Sequence, residues 1–386
     1  MRSAVIVDAI RTPIARASSD KGYFRDIRAD DLSADLVLKL IERTGIEPNL
    51  IEDVRWGCVQ QQGEQGADIA RILVLIADLP ISIGGVTVNR NCSSSLQAIN
   101  DAATAIMAGV ADVQIAGGVE HMDHIPMHKD YAPSARLFRR HSEAIMHMGL
   151  TAEYLAMKYR IPRQAQDEFA LRSHQLAAAA MDRPTWAEEV VPMLGRNEQG
   201  FRALVHQDQG VRRDTNLAAL ASLRPAFAPA GGSVTAGNSS QISVGAAAAL
   251  MMSEDKAKEL GYQPLARVRA MAVAGVAPEE MGIGPVPAIN KVLQRANVKL
   301  TDVGAIEINE AFAVQVLSCL KLLGMDDKRV NTRGGAVAVG HPIGASGARI
   351  AATLLHRMKD EGHRLGIASL CVGQGQGVAT LFERMH

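Results

Sequence analysis

Short apolar runs of strand length alternate with amphipathic helical patterns through most of the chain. Helical spacing of apolar residues covers 31–43, 94–108, 287–296 and 347–360. Strand-like runs are SAVIVDAI, DVRWGCVQ, GGVTVNRN and DVQIAGGV in the first third, and ARVRAMAVAG, VGAIEINEA and GIASLCVG later. Strands that alternate with helices predict an α/β fold with mainly parallel sheets.

The stretch from about 121 to 238 interrupts this alternation. It is rich in Met, His and Arg, carries one long helical pattern, RQAQDEFALRSHQLAAAAMD, and then becomes loop-like. We interpret it as an insertion that covers another part of the molecule. The predicted domains are therefore an N-terminal one, 1–253, which contains this covering region, and a C-terminal one, 254–386.

The two α/β parts resemble copies of one another. IEDVRWGC near residue 51 resembles LTDVGAIE near residue 300, which pairs Asp53 with Asp302 at an offset of 249. The same offset pairs Cys92 with His341. Identities this few also arise by chance in a chain rich in alanine. If the halves are duplicated, a thiol and an imidazole stand at equivalent helix starts and face one shared site.

Composition narrows the class of protein. The chain has 386 residues, of which 47% are apolar and 21% charged, an ordinary mix for a globular protein with a large core. Since 41 basic residues balance 41 acidic ones, no electrostatic footprint for nucleic acid is expected. No stretch reaches ~18 uninterrupted apolar residues, and the first apolar run is too short for a signal peptide. We expect a cytoplasmic protein without a membrane span.

The four cysteines lie far apart and form no CxxC pair, which argues against a zinc site or a disulfide framework. Cys92 differs from the others because NRNCSSSLQA places it between a strand and the start of a helix. A helix N-terminus favours an anion, so we expect the pKa of this thiol to fall from about 8.5 toward neutrality. The alternative is a small buried apolar residue.

Three further stretches carry polar or nucleophilic groups at element ends. GGAVAVGHPIGASGAR surrounds His341 with glycines that permit close approach, and imidazole is the usual base for a cysteine nucleophile. A phosphate loop is the alternative there, but neither GxGxxG nor the Walker pattern fits. NEAFA places Asn309 after a buried strand, as a site element or a helix N-cap. CVGQGQG ends a strand at Cys371, and the glycines that follow, Gly373 first, offer backbone donors to an oxyanion or form only a turn.

Two other interpretations are weaker. EHMDHIPMHKDY spaces His121, His124 and His128 as metal ligands could be spaced, but Pro126 interrupts any common helical face, so we expect no metal. The alternation of strands and helices also suggests dinucleotide binding, but no GxGxxG follows the first strand.

Six blocks resemble, in the same order, the signature blocks of the thiolase family: NRNCSSSLQA, GGVEHM, VTAGNSSQIS, NEAFA, GGAVAVGHPIGASGAR and CVGQGQG. They span nearly the whole chain. The resemblance implies duplicated βαβαβαββ halves that form a five-layered αβαβα core, with an inserted loop domain. GGVEHMDHIPM and WGCVQQQGEQG are most similar to the thiolase subunits of bacterial fatty-acid oxidation complexes.

Thiolases cleave a 3-ketoacyl-CoA with free CoA, and the resemblance implies a role for each motif residue. Cys92 is implied as the nucleophile that becomes acylated, and His341 as its base. Cys371 is implied to protonate the departing acetyl-CoA carbanion and then to deprotonate CoA. Asn309 is implied to position a water that forms one oxyanion hole with His341, and the N–H groups of Cys92 and Gly373 to form the other. CoA is then a co-substrate, and no cofactor is expected.

By the same resemblance, the family's CoA contacts fall on Arg212, Ser240, His147 and Met148, with Arg212 preferred to its neighbour Arg213. The insertion diverges more than the catalytic blocks.

The chain departs from the family pattern at two positions. Val244 stands where family members usually carry an acid, and we expect it to alter local packing or a buried hydrogen bond. Arg333 stands where a smaller or neutral residue is common, and we expect it to tune the edge of the site or to point into solvent.

The expected activity is degradative thiolysis in fatty-acid β-oxidation through an acyl-Cys92 intermediate. A biosynthetic acetoacetyl-CoA thiolase, which runs the same chemistry in the condensing direction, is the nearest alternative, and a non-catalytic lipid-carrier or scaffold paralogue is a distant one. A ketoacyl-carrier-protein synthase would lack Cys371. The family implies a homodimer or tetramer, and the oxidation-complex resemblance implies a hydratase/dehydrogenase α subunit as a partner.

Overall fold

Strands and helices alternate along the chain as the apolar pattern predicts, in a computed structural model that describes residues 2–127 and 129–385. The strands are β1 (Ala4–Arg11), β2 (Ala15–Arg16), β3 (Asp53–Gly57), β4 (Gly84–Val88), β5 (Val113–His121), β6 (Met193–Arg196), β7 (Arg202–Val205), β8 (Ser243–Ser253), β9 (Ala266–Gly275), β10 (Ala305–Ile308), β11 (Leu365–Val372) and β12 (Gln376–Arg384).

The helices begin and end within two residues of the patterns that predicted them, where a pattern was assigned. They are α1 (Ala29–Thr44), α2 (Ile69–Ile76), α3 (Ser94–Met107), α4 (Ala135–Phe138), α5 (Met148–Tyr159), α6 (Arg163–Met181), α7 (Trp186–Glu189), α8 (Leu217–Ala221), α9 (Glu254–Glu259), α10 (Pro285–Ala296), α11 (Ala313–Leu323), α12 (Ala336–Val339) and α13 (Ser346–Glu361). Short 3-10 turns lie at Pro48–Leu50, Gly63–Gln65, Glu143–Met146, Pro278–Ile283 and Leu300–Asp302.

The strands of both halves join in one continuous sheet, and β4 of the N-terminal half has no counterpart in the C-terminal half. The strand order is β4-β3-β5-β8-β1-β9-β12-β11-β10, and β2 pairs with β8. The strands at the two ends of the sheet, β4-β3-β5 and β10-β11, pair in parallel, whereas β8, β1, β12 and β9 between them pair antiparallel. The prediction of mainly parallel sheets is therefore wrong. Only three residues join β11 to β12, and so tight a connection forces those strands to run antiparallel.

The helices form three layers around the two halves of the sheet, which gives the five-layered αβαβα core. Apolar residues of α1 and α2 pack on the outer face of the N-terminal half, and those of α10 and α11 pack on the outer face of the C-terminal half. Between the two halves lie α3 and α13, whose buried alanines, leucines and isoleucines share a third core with both. These two central helices contact each other along their N-terminal turns.

The repeat is confirmed by this architecture, but its offset is wrong. β10, α13 and β11 begin 252 residues after their counterparts β3, α3 and β5. At that spacing Cys92 corresponds to Gly344, and His341 lies three residues earlier. Cys92 precedes its helix by two residues, and His341 precedes α13 by five. The thiol and the imidazole therefore lie before paired helices without being equivalent residues.

The inserted region, 121–238, packs mainly over the C-terminal half. Its helices α5 and α6 contact α11, and α6 also contacts α12. Leu155 of α5 shares an apolar cluster with Phe312 and Cys371. The antiparallel hairpin β6–β7 belongs to the same insertion. The insertion thus covers the C-terminal ends of strands that carry candidate site residues. In the described residues, no helix is both long and apolar enough to cross a membrane.

The two departures from the family pattern both lie in the interior. Val244 is buried in β8 and packs in the core under α1, where an acid would need a hydrogen-bonding partner. Arg333 is also buried, and its guanidinium pairs with Asp360 at 2.6 Å and lies 3.9 Å from Glu189. The expectation that Arg333 points into solvent is wrong, and an influence on the edge of the site stays a prediction.

The contact between the central helices predicts that replacing a helical glycine by alanine lowers the stability of the protein instead of raising it. Alanine normally stabilises a helix by ~1 kcal/mol relative to glycine, but a Cβ at Gly347 would lie 2.3 Å from the backbone nitrogen of Leu96. Gly347→Ala should therefore destabilise the protein by about 1–3 kcal/mol or more, which a lower midpoint of urea denaturation would report. Gly275→Ala is the matched control, because a Cβ there meets nothing closer than 4.0 Å. Equal midpoints for the two variants would contradict this packing.

Candidate active site

One cavity of about 740 Å³ collects most of the residues predicted from the motifs. Its wall contains, among others, Cys92, His341, Cys371, Gly373, His147, Met148 and Ser240. The volume lies within the range of about 300–1,000 Å³ typical of small-molecule sites. Asn309 does not line the wall, but its side chain contacts Nε2 of His341. The N-terminal domain supplies Cys92, His147, Met148 and Ser240, and the C-terminal domain supplies His341, Cys371 and Gly373.

Cys92 sits on a tight turn that is tied to the second half of the chain. Asn91 has a positive φ of 43°, a conformation that asparagine tolerates better than most residues. Its amide donates to the side chain of Gln374 at 2.6 Å and to the carbonyl of Gly373 at 3.4 Å. One residue earlier, Arg90 donates to Gln376 at 2.9 Å. The nucleophile turn is therefore fixed against the β11–β12 turn.

The acidity expected for Cys92 is wrong in direction. Burial raises the pKa of its thiol to about 11, while the backbone N–H groups of Gly373 and of Cys92 itself act in the lowering direction. Removal of a thiolate from water outweighs the two donors and the start of α3. Cys92 therefore rests as a neutral thiol that needs a base. Its three fellow cysteines are fully buried, whereas Cys92 is partly exposed in the cavity.

His341 is held by its backbone and by a serine one helical turn further on. Its N–H donates to the hydroxyl of Ser243 at 3.1 Å, and the preceding Gly340, at φ 115°, leaves no room there for a Cβ. Its Nδ1 lies 2.6 Å from the hydroxyl of Ser346, which donates its only proton to the carbonyl of Pro342 at 2.8 Å. Nδ1 therefore carries the proton and Nε2 is free to accept one.

Burial and a nearby positive charge keep this imidazole neutral. Burial lowers the pKa of His341 to about 3, and the Arg349 guanidinium contributes in the same direction. A neutral imidazole and a neutral thiol therefore line one cavity, a combination that can act as a general base and a nucleophile.

Asn309 lies just past the end of β10 and is 1% exposed. Its Nδ2 is 3.3 Å from Nε2 of His341. The N-cap of α11 is Phe312, so the interpretation of Asn309 as that helix's N-cap is wrong. Its amide instead presents a donor to the reacting side of the imidazole.

Cys371 is buried at the end of β11, close enough to Cys92 for the two sulfurs to influence each other. Burial raises the pKa of Cys371 well above the ordinary value, and a charge on Cys92 would raise it further. Cys371 is therefore protonated at neutral pH, and its proton is available only to a strong base such as a carbanion. Gly373, two residues on, lines the same cavity and presents its N–H to Cys92.

Two buried carboxylates hold the loops around the cavity. Glu120 accepts hydrogen bonds from the N–H groups of Val59, Gln60 and Gly344, at 3.0, 3.1 and 3.0 Å, so it joins loops from both halves. Burial raises its pKa to about 7. The sequence analysis missed this role of Glu120, although a charged residue that ends the apolar strand VQIAGGVE is a visible signal.

Glu310 does the same on the other side of the cavity. It accepts from Ser173 of α6 at 2.7 Å, from Asn331 at 2.9 Å and from the N–H of Val337 at 3.2 Å. Burial raises the pKa of this carboxyl too. The neighbours Asn309 and Glu310 therefore have different roles. Asn309 faces His341, whereas Glu310 connects the insertion to the segment before His341.

The residues predicted to contact CoA are divided between the cavity and the surface. His147, Met148 and Ser240 line the cavity, whereas Arg212 is exposed and lies outside its wall. Arg213 forms a bidentate ion pair with Asp182 at 2.8 Å. Met122, Met127, Met146 and Met281 also line the cavity, and with Met148 they form a methionine-rich wall. All of them except Met281 belong to the Met-rich covering region that the sequence predicts.

The histidines set aside as metal ligands form a compact cluster with a carboxylate. Ligand atoms of Glu64, His121 and His124 all lie within 4.8 Å of one another, and His128 lies outside the described residues. Hydrogen bonds already engage the ring nitrogens: His121 Nε2 lies 3.1 Å from the carbonyl of Phe24, and His124 Nδ1 lies 2.9 Å from Glu64. These contacts fasten the start of the covering loop to the segment before α1.

The acidity of Cys92 predicts how the free enzyme reacts with iodoacetamide. With a pKa of about 11, alkylation of Cys92 should rise about tenfold per pH unit between pH 7 and pH 10, since only the thiolate reacts. Peptide mapping by mass spectrometry measures the rate at Cys92, and the Cys92→Ser protein gives the background. A rate that levels off below pH 8 would mean that the helix terminus and His341 ionise the thiol after all.

Comparison with known proteins agrees with this site. Residues 4–255 match the thiolase N-terminal domain family, and residues 262–384 match the thiolase C-terminal domain family. The chain is 52% identical to a 3-ketoacyl-CoA thiolase of Aliivibrio fischeri and 51% identical to one of Yersinia enterocolitica, over 100% of both chains in each case.

Two solved structures extend the comparison to the fold. The Bacillus anthracis acetyl-CoA acetyltransferase superposes with a TM-score of 0.91 at 40% identity, and human mitochondrial 3-ketoacyl-CoA thiolase with a TM-score of 0.91 at 34% identity. Each comparison covers 100% of this chain and 99% of the other. Two family domains, full-length relatives and a shared fold lead to one conclusion: this chain belongs to the thiolase family of acyltransferases.

Proposed function

We propose that this enzyme cleaves 3-ketoacyl-CoA with free CoA, giving acetyl-CoA and an acyl-CoA shortened by two carbons, as a step of fatty-acid degradation. The observation that carries the proposal is the meeting of Cys92, His341 and Cys371 around one cavity of about 740 Å³. Full-length relatives above 50% identity are named for that substrate class.

The first half-reaction transfers the acyl group to Cys92. Nε2 of His341 takes the thiol proton while the sulfur attacks the 3-keto carbon, and the N–H groups of Cys92 and Gly373 or the donors at Asn309 and His341 stabilise the oxyanion. The bond between C2 and C3 then breaks. Its electron pair forms the enolate of acetyl-CoA, which takes a proton from Cys371 at carbon.

The second half-reaction returns the enzyme to its starting state. The Cys371 thiolate takes the proton of an incoming CoA thiol, and the CoA sulfur attacks the acyl-Cys92 thioester. Collapse of this intermediate releases the shortened acyl-CoA. The Cys92 sulfur leaves as a thiolate and recovers its proton from His341. The sequence of two transfers through one covalent intermediate predicts ping-pong kinetics.

CoA enters as a co-substrate, and the steps above use only protein groups and CoA. His147, Met148 and Ser240 of the cavity wall are proposed to contact its pantetheine arm or the thioester. Arg212 is proposed to meet the charged end of CoA at the surface, because its side chain is exposed outside the cavity.

The sheet ends at an edge suited to a second copy of this chain. β4 is the last strand of the N-terminal half, so one row of its backbone groups has no strand beside it. Exposed apolar side chains cluster along this edge and the helix before it, namely Leu75, Ile76, Ile81 and Val86. We propose that two copies pair along β4 as a homodimer, which can assemble further into a tetramer. We also propose that the enzyme binds a hydratase/dehydrogenase α subunit and that it acts in the cytoplasm.

The acyl-enzyme is the first test of this mechanism. Incubation with a 3-ketoacyl-CoA and no free CoA should add the mass of the shortened acyl group to Cys92, because the second half-reaction cannot take place without CoA. Cys92→Ser should form no adduct and lose at least about 10³-fold in kcat. Cys319→Ser is the matched control, since a hydroxyl can still donate to the carbonyl of Gly282, 3.3 Å from this buried sulfur. An adduct on another residue would overturn the assignment.

Chain length separates degradation from biosynthesis. The similarity to an acetyl-CoA acetyltransferase keeps the condensing enzyme as the second candidate. The methionine-rich wall favours a longer chain, since thioether side chains are flexible enough to pack against chains of different length. We expect kcat/KM for 3-ketodecanoyl-CoA to equal or exceed that for acetoacetyl-CoA. Cleavage confined to acetoacetyl-CoA would favour the biosynthetic enzyme.

A further inference from the structure

Arg349 is a buried cation next to the proposed catalytic groups, on the first turn of α13. It is 2% exposed, and in the described part of the chain no carboxylate oxygen lies within 4 Å of its guanidinium nitrogens. Its Nη2 donates to Oδ1 of Asn309 at 3.4 Å, and its Nε has no partner. Burying an arginine without an ion pair costs free energy of folding, and an apolar side chain at position 349 would avoid that cost. The arrangement therefore calls for a functional reason.

The chemistry of arginine determines which way the Asn309 amide faces. A guanidinium has five donors and no acceptor, so the amide atom beside it must be the oxygen. The amide nitrogen of Asn309 then faces the imidazole, 3.3 Å from Nε2 of His341. An amide nitrogen only donates, so Nε2 must be the ring nitrogen that accepts.

The other side of the imidazole independently gives the same proton position. If Nε2 accepts, Nδ1 must carry the hydrogen, and its neighbour at 2.6 Å has to be an acceptor. That neighbour is the hydroxyl of Ser346, whose own proton is donated to the carbonyl of Pro342. Arg349 and Ser346 are three residues apart on α13, so one helical turn supports the imidazole from both sides.

We propose that Arg349 is a positioning residue, which acts through the amide of Asn309 to keep the proton of His341 on Nδ1, so that Nε2 stays unprotonated and able to take the thiol proton of Cys92. This inference rests on the proposed roles of Asn309 and His341. Without Arg349 the amide can rotate by 180°, because among residues 2–127 and 129–385 no other hydrogen bond reaches Oδ1 of Asn309. Its oxygen would then face Nε2 and favour the tautomer that cannot accept the thiol proton.

A purely structural role is the competing explanation, since any buried arginine fills space and contributes to packing. Arg333 provides the comparison, because it is buried beside the same small internal cavity as Arg349. Its guanidinium pairs with Asp360. In the described residues, none of its hydrogen bonds reaches Cys92, Asn309 or His341. The same substitution at the two arginines therefore separates loss of packing from loss of orientation.

The experiment is a double-mutant cycle on purified enzyme, with kcat and KM measured for one 3-ketoacyl-CoA. Arg349→Met should lower kcat by about 10- to 100-fold with little change in KM, because substrate still binds while the base is misdirected. Arg349→Lys should recover part of this loss, since lysine is also a donor without an acceptor. Arg333→Met should keep kcat within about twofold. In the Asn309→Ala background, Arg349→Met should cause no further loss.

The outcomes are separable. If Asn309→Ala alone keeps wild-type kcat, the proposed role of Asn309 fails, and with it the basis of this inference. If Asn309→Ala is impaired but Arg349→Met lowers kcat equally in both backgrounds, or Arg333→Met causes the same loss, Arg349 is structural and the inference is overturned. If Arg349→Met does not fold, Asn309→Asp decides. Its carboxylate can pair with Arg349 but offers only acceptors to Nε2, so kcat should fall at least as far as in Asn309→Ala, and a wild-type kcat would overturn the inference.

Discussion

The close contact between α3 and α13 is the constraint on which the rest of the molecule depends. A Cβ on Gly347 would collide with the backbone of Leu96, and the N–H of Ala348 donates to the hydroxyl of Ser95 at 2.9 Å. Backbones this close are possible only with small residues at the crossing. Because the turns before these two helices carry Cys92 and His341, the packing of the central layer brings the thiol and the imidazole to one cavity.

Burial then determines the chemistry that this cavity supports. It raises the pKa of Cys92 to about 11 and lowers that of His341 to about 3. Both groups are therefore neutral at physiological pH, and no ion pair has to be kept in the apolar interior while the enzyme waits for substrate. Charge develops only when the thiol attacks, where donors already in position can stabilise it. Glu120 and Glu310 keep the loops around the cavity in place by accepting backbone and side-chain hydrogen bonds.

The fold and most of the side chains that line the cavity were predictable from the sequence, for a physical reason. Apolar periodicity marked the central helices to within two residues, and the functional groups stand at element ends where glycine or small residues permit close approach. The sequence did not reveal the acidity of Cys92, because the helix terminus is a local feature whereas desolvation depends on the complete cavity. The direction of β8 and β12 was missed because a period of two does not report which way a strand runs.

The corrected offset of the repeat changes how the two halves share the reaction. At 252 residues Cys92 corresponds to Gly344, so the duplicated scaffold repeats without repeating its chemistry. Each half supplies a turn before a central helix. In the first half a short turn presents a sulfur, whereas in the second a longer loop places His341 further from its helix and leaves the first turn of α13 free to carry Ser346 and Arg349. The two halves thus differ in function because His341 lies three residues further from its helix than Cys92 does. This displacement lets the imidazole of one half reach the cavity that contains the thiol of the other half.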